Sequence, residues 1–279
     1  MPQRNSRIQP NFAHAYEQVL QLADFEWDEA TRQNLHVYRP RHLLLGELVD
    51  RHLSGRREII ADIGCHNGFF LRLSNSLGFR RFMAIDFFEL PPARSFLRGL
   101  TDAEFHRRNF NEANFLHGIA DESVDCLVST EVFEHLFNHP LGYLQECWRI
   151  LRPGGVLPLT TPNPATFANA VRLVTNRPIQ WGAVAFAETI KLTPEGLPAA
   201  MWDIHFREYF ASELETIIHK LPDVEIVARG YIGTGTDPQS SLVKRFAKTI
   251  QHAFGLGRWR PLCTTQYWLL RKAESPKKG

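Results

Sequence analysis

Apolar residues recur along this chain in two forms, short contiguous runs and positions at helical spacing. Leu44, Leu45, Leu48, Val49 and Leu53 take helical spacing and stop at Ser54–Gly55. The run Ile59-Ile60-Ala61 then leads straight into a glycine-containing turn, and a second run, Phe82-Met83-Ala84-Ile85, ends in Asp86. A third strand around Phe105 carries a weaker signal. Val124 to Thr130 (VDCLVST) is apolar on both faces, as a strand buried between two layers of helix must be. Leu141, Leu144, Cys147, Trp148 and Leu151 follow a helical period that Arg152-Pro153-Gly154-Gly155 terminates, and GVLPL supplies the next strand. Proline donates nothing to a ladder, so Pro158 predicts a bulge or a shortened strand.

From Pro162 to about Ile204 the pattern loosens into an insertion holding Trp181, Trp202 and several prolines. Regular structure resumes with Ser212 and Glu215 in capping-box spacing and a helix face of Leu214, Ile217, Ile218 and Leu221. Strand-like segments follow at Val224–Ala228 and Thr265–Leu270. Strands alternating with helices predict an α/β fold, a doubly wound parallel sheet with helices on both faces.

Length and composition permit a full core: 279 residues, 44% hydrophobic and 22% charged, suit one large domain or two small ones. Lys and Arg number 32 against 30 Asp and Glu, and the net charge of +2 offers no global field for a polyanion. Cys65, Cys126, Cys147 and Cys263 lack CxxC spacing, which predicts reduced core thiols in a cytoplasmic protein. The opening residues, MPQRNSRIQPNF, hold no apolar core for a signal peptide. No apolar run approaches the roughly 18 residues of a membrane span, although contact with a membrane surface stays open.

The chemistry begins at Asp62-Ile63-Gly64-Cys65-His66-Asn67-Gly68. A strand ending in a glycine turn lets a ligand approach the backbone, and the helix that follows offers N–H groups. A dinucleotide fold would carry G-x-G-x-x-G here; the chain has D-x-G-x-x-x-G. Asp86 ends the next strand 22 residues after Gly64, close to the roughly 20 expected of a ribose-binding carboxylate. Its other reading is a helix N-cap.

ADIGCHNGFF, AIDFFE, DESVDCLVSTEVFEHL and RILRPGGVLPLTTPN occur in that order, and with them residues 40 to 272 resemble the class I S-adenosylmethionine (SAM) dependent methyltransferase superfamily. The resemblance implies a Rossmann-like, seven-stranded methyltransferase sheet in one domain over residues 1–272. Its parts would be an N-terminal helical lid (1–57), a SAM-binding half (58–161), an acceptor-side insertion after the fifth strand (162–207), and a C-terminal helix with hairpin strands (208–272). Residues 273–279 would be a disordered tail. It also implies SAM as cofactor, bound by Asp62, Gly64, Cys65, Gly68, Asp86, Phe87, Asn109, Phe110 and Glu131, with Asn109 beside the adenine amine where most members carry Asp.

Glu131, Glu134 and His135 follow the fourth strand in TEVFEHL. A helix beginning there would put all three side chains on one face, and two carboxylates with an imidazole suit a divalent cation. His205, in WDIHFREYF, is a fourth candidate. E-x-x-E-H with a later His resembles the metal site of small-RNA 2′-O-methyltransferases and is similar to ubiquinone-pathway O-methyltransferases. The resemblance implies Mg²⁺ or Mn²⁺ on Glu131, Glu134, His135 and His205. Alternatively, Glu134 braces a loop and His135 acts alone as general base. Glu134 and His135 are the candidate catalytic residues.

TTPN, an insertion and then His205, Arg207, Glu208 and Tyr209 (H-x-R-E-Y) resemble methyltransferases of polysaccharide and glycolipid biosynthesis. That implies O-methylation of a sugar, glycolipid or other small hydroxylated acceptor. RNA ribose 2′-O-methylation, with nucleic acid as partner, is the alternative, and a non-catalytic SAM-binding protein is a third. Arg207 fits an anionic acceptor or a structural bridge to Glu. Trp181, Phe186 and Trp202 fit a sugar platform or satellite core. Arg245, Lys248, Arg258 and Arg260, with Phe246, Phe254 and Trp259, fit a solvated face or contact with a membrane or phosphate backbone.

Overall fold

Two helices, α1 (Pro10–Leu20) and α2 (Glu29–His52), lead the chain into a sheet. A computed structural model of the chain describes residues 10–21, 29–87, 97, 99–137, 139–179, 204–233 and 263–274. The strands are β1 (Ile59–Ile63), β2 (Arg81–Asp86), β3 (Ala103–Arg107), β4 (Val124–Thr130), β5 (Leu151–Pro162), β6 (Val224–Ile232) and β7 (Thr265–Lys272). They form one seven-stranded sheet in the order β3-β2-β1-β4-β5-β7-β6, and β7 alone runs against its neighbours. Helices α3 (Phe69–Ser74), α4 (Pro140–Ile150), α5 (Phe167–Val174) and α6 (Ala211–Ile218) complete the described elements. The sequence-based α/β, Rossmann-like expectation is the observed architecture, with helices before β1 and a helix after β5.

The two-residue period of a strand sorts its side chains onto two cores. Ile60, Phe82, Ala84, Cys126 and Val128 meet α1, α2 and α3 on one face. Ile59, Ala61, Ile63, Met83, Ile85 and Leu127 meet α4 and α6 on the other. This double burial is why β1 and β4 read as unbroken apolar runs. All four cysteines are buried free thiols.

The bulge expected at Pro158 is absent. β5 pairs with β7 in unbroken register from Val156↔Arg271 to Pro162↔Thr265, so a single missing N–H donor is tolerated without shortening the strand. The irregularity lies earlier, where Val124 pairs Leu151 but Cys126 pairs Val156, so that Arg152-Pro153-Gly154-Gly155 loops out. The shift moves Val124 and Cys126 onto opposite cores. It also buries Asp125, whose carboxylate accepts the N–H groups of Glu58 and Ile59, both at 2.7 Å, and pairs with Arg152. The capping box expected of Ser212 and Glu215 is also corrected. The helix starts at Ala211, and Glu213 takes the Phe210 N–H at 2.9 Å, while Glu215 pairs with Arg229. Ala273 is not part of the expected tail, because its N–H donates to the Asp223 carbonyl at 2.8 Å, and residues 275–279 lie outside the described residues.

Strands β1 and β4 are neighbours in space although two strands separate them in the chain. Strand order reverses at this point, and ligands of open α/β sheets bind outside the carboxyl ends there. Both strands end in the segments singled out above, the glycine turn and TEVFEHL.

Candidate active site

The glycine turn is built by backbone geometry. Gly64 and Gly68 take φ of +73° and +74°, and His66 shares the left-handed region at +47°. L side chains avoid that region, so glycine suits the turn's entry and exit. A Cβ on Gly64 would come within 2.4 Å of Val132 Cγ2, a second reason for glycine there. The Gly64 N–H donates to the Ile85 carbonyl at 2.8 Å, which ties the turn to β2. Asp86 closes the tie, since its carboxylate accepts the His66 N–H at 2.8 Å and the Phe87 N–H at 2.7 Å.

A cavity of about 670 Å³ opens above this turn. Asp62, Gly64, Cys65, Asp86, Phe87, Asn109, Phe110, Glu131, Glu134, His135 and His205 all line it. Gly68 does not; it sits at the start of α3 and shapes the turn from below. Asp62 is 3% exposed, and its Oδ1 has no hydrogen-bond partner. Burial and the Asp86 charge push its carboxyl well above the usual range, with Arg41 opposing. Burial, then Asp86 and Asp62, raises the Cys65 thiol likewise, which makes it unreactive. Asn109 Oδ1 accepts the Asn111 N–H at 3.1 Å and its Nδ2 donates to Glu112 at 3.2 Å.

The far wall comes from α2, where Tyr38, Arg41 and His42 face the cavity. Sequence reasoning missed these three. The available signal was a pair of polar residues, Arg41 and His42, set into the apolar face of a long helix. Arg41 is the one Lys or Arg among the described lining residues. Its guanidinium lies 4.3 Å from the centre of the Tyr38 ring, Nη1 is 3.3 Å from Glu131 Oε1, and Nε is buried without a partner. His42 stacks on Phe69 at 5.3 Å, and burial, then Arg41, holds its pKa well below the ordinary value, so the ring is neutral.

Beyond β4 the expected helix does not form. Glu131 has φ of +54°, and only Phe133–His135 makes a 3-10 turn before Leu136 returns to extended backbone. The one-face argument for Glu131, Glu134 and His135 therefore fails. Glu131 accepts from Thr160 Oγ1 at 3.0 Å and faces Arg41. Glu134, fully buried, accepts from Thr161 Oγ1 at 3.0 Å through Oε2, and its Oε1 has no hydrogen-bond partner. Burial first and the Glu131 charge second raise its carboxyl well above the usual range.

A different segment completes the group. The Glu134 carbonyl accepts the Phe206 N–H at 2.9 Å, which brings 204–207 against the turn. His135 Nδ1 lies 2.9 Å from the Ile204 carbonyl; a carbonyl only accepts, so Nδ1 carries the proton and Nε2 is the basic nitrogen of the neutral ring. His205 Nδ1 is oriented by Glu208 Oε1 at 2.9 Å. The ligand atoms of Glu134, His135 and His205 lie within 4.8 Å of one another, and Glu131 stands outside this trio. Arg207 is spent on a bridge, 2.7 Å from Glu213, with its guanidinium 5.0 Å from the Tyr209 ring centre. Trp181, Phe186, Trp202 and the basic stretch of Arg245, Lys248, Arg258 and Arg260 with Phe246, Phe254 and Trp259 lie outside the described residues. No helix among the described residues is long and apolar enough to cross a membrane.

A family model for a methyltransferase domain matches residues 61–159. A Mycolicibacterium smegmatis protein assigned as an S-adenosylmethionine-dependent methyltransferase is 30% identical over 129 residues, 46% of this chain and 46% of its own length. The chain thus spans about half the length of that relative. The ubiquinone biosynthesis O-methyltransferase of Xanthomonas oryzae pv. oryzae is 29% identical over 174 residues, 60% of this chain and 71% of its own. Among solved structures, the complex between the Haloferax volcanii Trm112 methyltransferase activator and a methyltransferase is similar at a TM-score of 0.56 and 16% identity, covering 96% of this chain and 100% of that one. A Galdieria sulphuraria protein described as a sarcosine dimethylglycine methyltransferase reaches 0.52 and 16%, over 95% and 98%. At those identities the structures speak for the fold alone. The glycine turn, the acid ending β2 and strands β2 to β5 lie within or across the matched residues 61–159, and over that stretch the chain is similar to the methyltransferase-domain family.

Proposed function

We propose that the chain is a SAM-dependent methyltransferase that methylates a hydroxyl of a sugar, glycolipid or other small acceptor, acting in the cytoplasm with help from a divalent cation. One observation carries the reading: Glu134, His135 and His205 converge within 4.8 Å on the wall of the cavity that the glycine turn floors. The likeness to a protein named for ubiquinone biosynthesis O-methylation supports oxygen as the accepting atom. Four buried free thiols suit a reducing compartment.

The cavity wall fits the cofactor. Asp62 Oδ1 and Arg41 Nε are buried polar atoms of opposite kind without partners, an acceptor and a donor suited to the ammonium and carboxylate of an amino acid. Asp86 can accept ribose hydroxyls from the end of β2, with Asn109 and Phe110 beside the base. Bound SAM supplies an electrophilic methyl on a sulfonium: the acceptor oxygen bonds to that carbon while the carbon–sulfur bond breaks. With no cation on the trio, the acceptor's proton goes to His135 Nε2, whose ring the Ile204 carbonyl holds in the required tautomer; with a cation held there that lone pair is taken, and the acidified hydroxyl would lose its proton to solvent instead.

The donor set also fits a cation such as Mg²⁺ or Mn²⁺, because it combines a buried carboxylate oxygen that accepts no hydrogen bond and lies 3.8 Å from His135 Nε2 with two imidazoles oriented through Nδ1. Such an ion supplies Lewis acidity that lowers the pKa of an accepting hydroxyl. Glu134 and the Nε2 atoms of His135 and His205 would hold it.

Titrating S-adenosylhomocysteine into chelator-treated protein, followed by Mn²⁺, tests the reading. Binding in both steps, with the second lost in Glu134→Ala, is the expected result. Cofactor binding without cation binding would leave His135 as the sole proton acceptor. No S-adenosylhomocysteine binding would remove the enzymatic reading.

A further inference from the structure

Arg41 is one cation facing four carboxylates, those of Asp62, Asp86, Glu131 and Glu134, on the walls of a single cavity. Its side chain is 11% exposed and that of Glu131 27%, and their 3.3 Å contact occupies one nitrogen of a fork with five N–H donors. The Tyr38 ring supports the guanidinium from below, so the group can redirect its donors without leaving the wall.

We infer that Arg41 is a positioning residue coupling cofactor and cation: it holds Glu131 away from the Glu134–His135–His205 trio, and on turning to the cofactor's carboxylate it releases Glu131 to complete the cation site. The inference rests on the proposed reading of the cavity as a SAM and cation site. Its physical core is competition. A planar guanidinium pairs best with one carboxylate at a time in bidentate geometry, and the amino-acid end of SAM brings a new carboxylate to the one Arg on the wall. Glu131 then loses its positive partner while keeping the Thr160 hydroxyl, and a partly buried carboxylate left in that state attracts a cation. The trio forms without Glu131 as the site stands, because the Glu131 carboxylate is engaged by Arg41 and Thr160.

Coupling of this kind is reciprocal, and typical factors run from about 5-fold to about 150-fold. Saturating S-adenosylhomocysteine should therefore tighten Mn²⁺ binding on the order of tenfold, and Mn²⁺ should tighten S-adenosylhomocysteine binding by the same factor. Calorimetry of the full chain, checked by the paramagnetic resonance of free Mn²⁺, reads both. Arg41→Met carries the distinctive sign. S-adenosylhomocysteine binding should weaken while Mn²⁺ binding in its absence strengthens, because Glu131 is no longer held. Arg41→Lys keeps the charge and should retain part of the coupling, which guards against loss of fold. Glu131→Gln should abolish the coupling, so that Mn²⁺ binds equally tightly with and without S-adenosylhomocysteine. Equal Mn²⁺ affinity with and without S-adenosylhomocysteine in the wild type would overturn the inference and leave the cation site standing. Weakened binding of both ligands in a folded Arg41→Met protein would overturn it as well. No Mn²⁺ binding in either state would remove the cation site and the inference together.

Discussion

The two walls of the cavity are made in opposite ways. On the glycine-turn side the determining groups are backbone atoms and two carboxylates, Asp62 and Asp86, joined within a short stretch of chain. Gly64 bonds to Ile85, and Asp86 takes the His66 and Phe87 N–H groups. On the β4 side the groups are ionisable side chains from distant segments: Glu134 and His135 from the 3-10 turn, His205 from 70 residues further on, and Arg41 from α2. Each wall keeps buried atoms without hydrogen-bond partners, Asp62 Oδ1 on the first and Glu134 Oε1 and Arg41 Nε on the second. Such atoms cost folding free energy, so a wall that keeps them is one arranged around a ligand.

If the walls divide binding from chemistry, their variants should separate cleanly. The largest effect is expected from His135→Ala. Methyl transfer from labelled SAM to an acceptor that the wild type uses should fall about 10²–10⁴-fold, the usual worth of a general base. S-adenosylhomocysteine affinity should stay within about twofold; an equal loss of both would erase the comparison. Next, Asp86→Ala should weaken S-adenosylhomocysteine about 10²-fold, since hydrogen bonds to a charged group are worth roughly 1.5–3 kcal/mol each. Turnover at saturating SAM should largely recover, and failure to recover would mean that Asp86 also sets the geometry of the other wall.

The smallest effect sharpens the comparison through stability. Burial and the Asp86 charge raise the Asp62 carboxyl well above the ordinary carboxylate range, so the folded chain holds its proton more tightly than the unfolded chain does. Its stabilising contribution is then present below about pH 3.8 and is lost as the pH rises through the folded value. Asp62→Asn should accordingly raise the Tm at pH 8, by about 2–4 °C for each kcal/mol relieved, with the gain shrinking towards pH 4. Thermal melts at the two pH values check this, and a gain independent of pH would assign it to packing instead.

The legible part of the molecule follows the first wall. β1, β2 and β4 declared themselves as apolar runs because parallel strands are buried on both faces. The glycine turn and Asp86 declared themselves because backbone geometry of that kind admits few residue types. The third strand was faint because, at the sheet edge, each of its residues is partly or largely exposed. Pro158 misled because the cost of one missing donor is local, whereas the register of β5 is held along its whole length by β7.

Glu131 misled for a different reason. Spacing promised a helix, and a single left-handed residue, held by its N–H bond to the Thr160 carbonyl, ended it. No periodicity encodes that bond, because its acceptor comes from another strand. The sequence by itself determined the strand-turn-helix cofactor motif, the double burial of the sheet and the types of residue that end β4. Tertiary structure alone decided that Arg41 would face Glu131, that Glu131 would stand outside the trio, and that the Ile204 carbonyl would set the tautomer of His135. Local preferences act over a few residues, while the pairing of buried charges depends on which segments the packed sheet brings together.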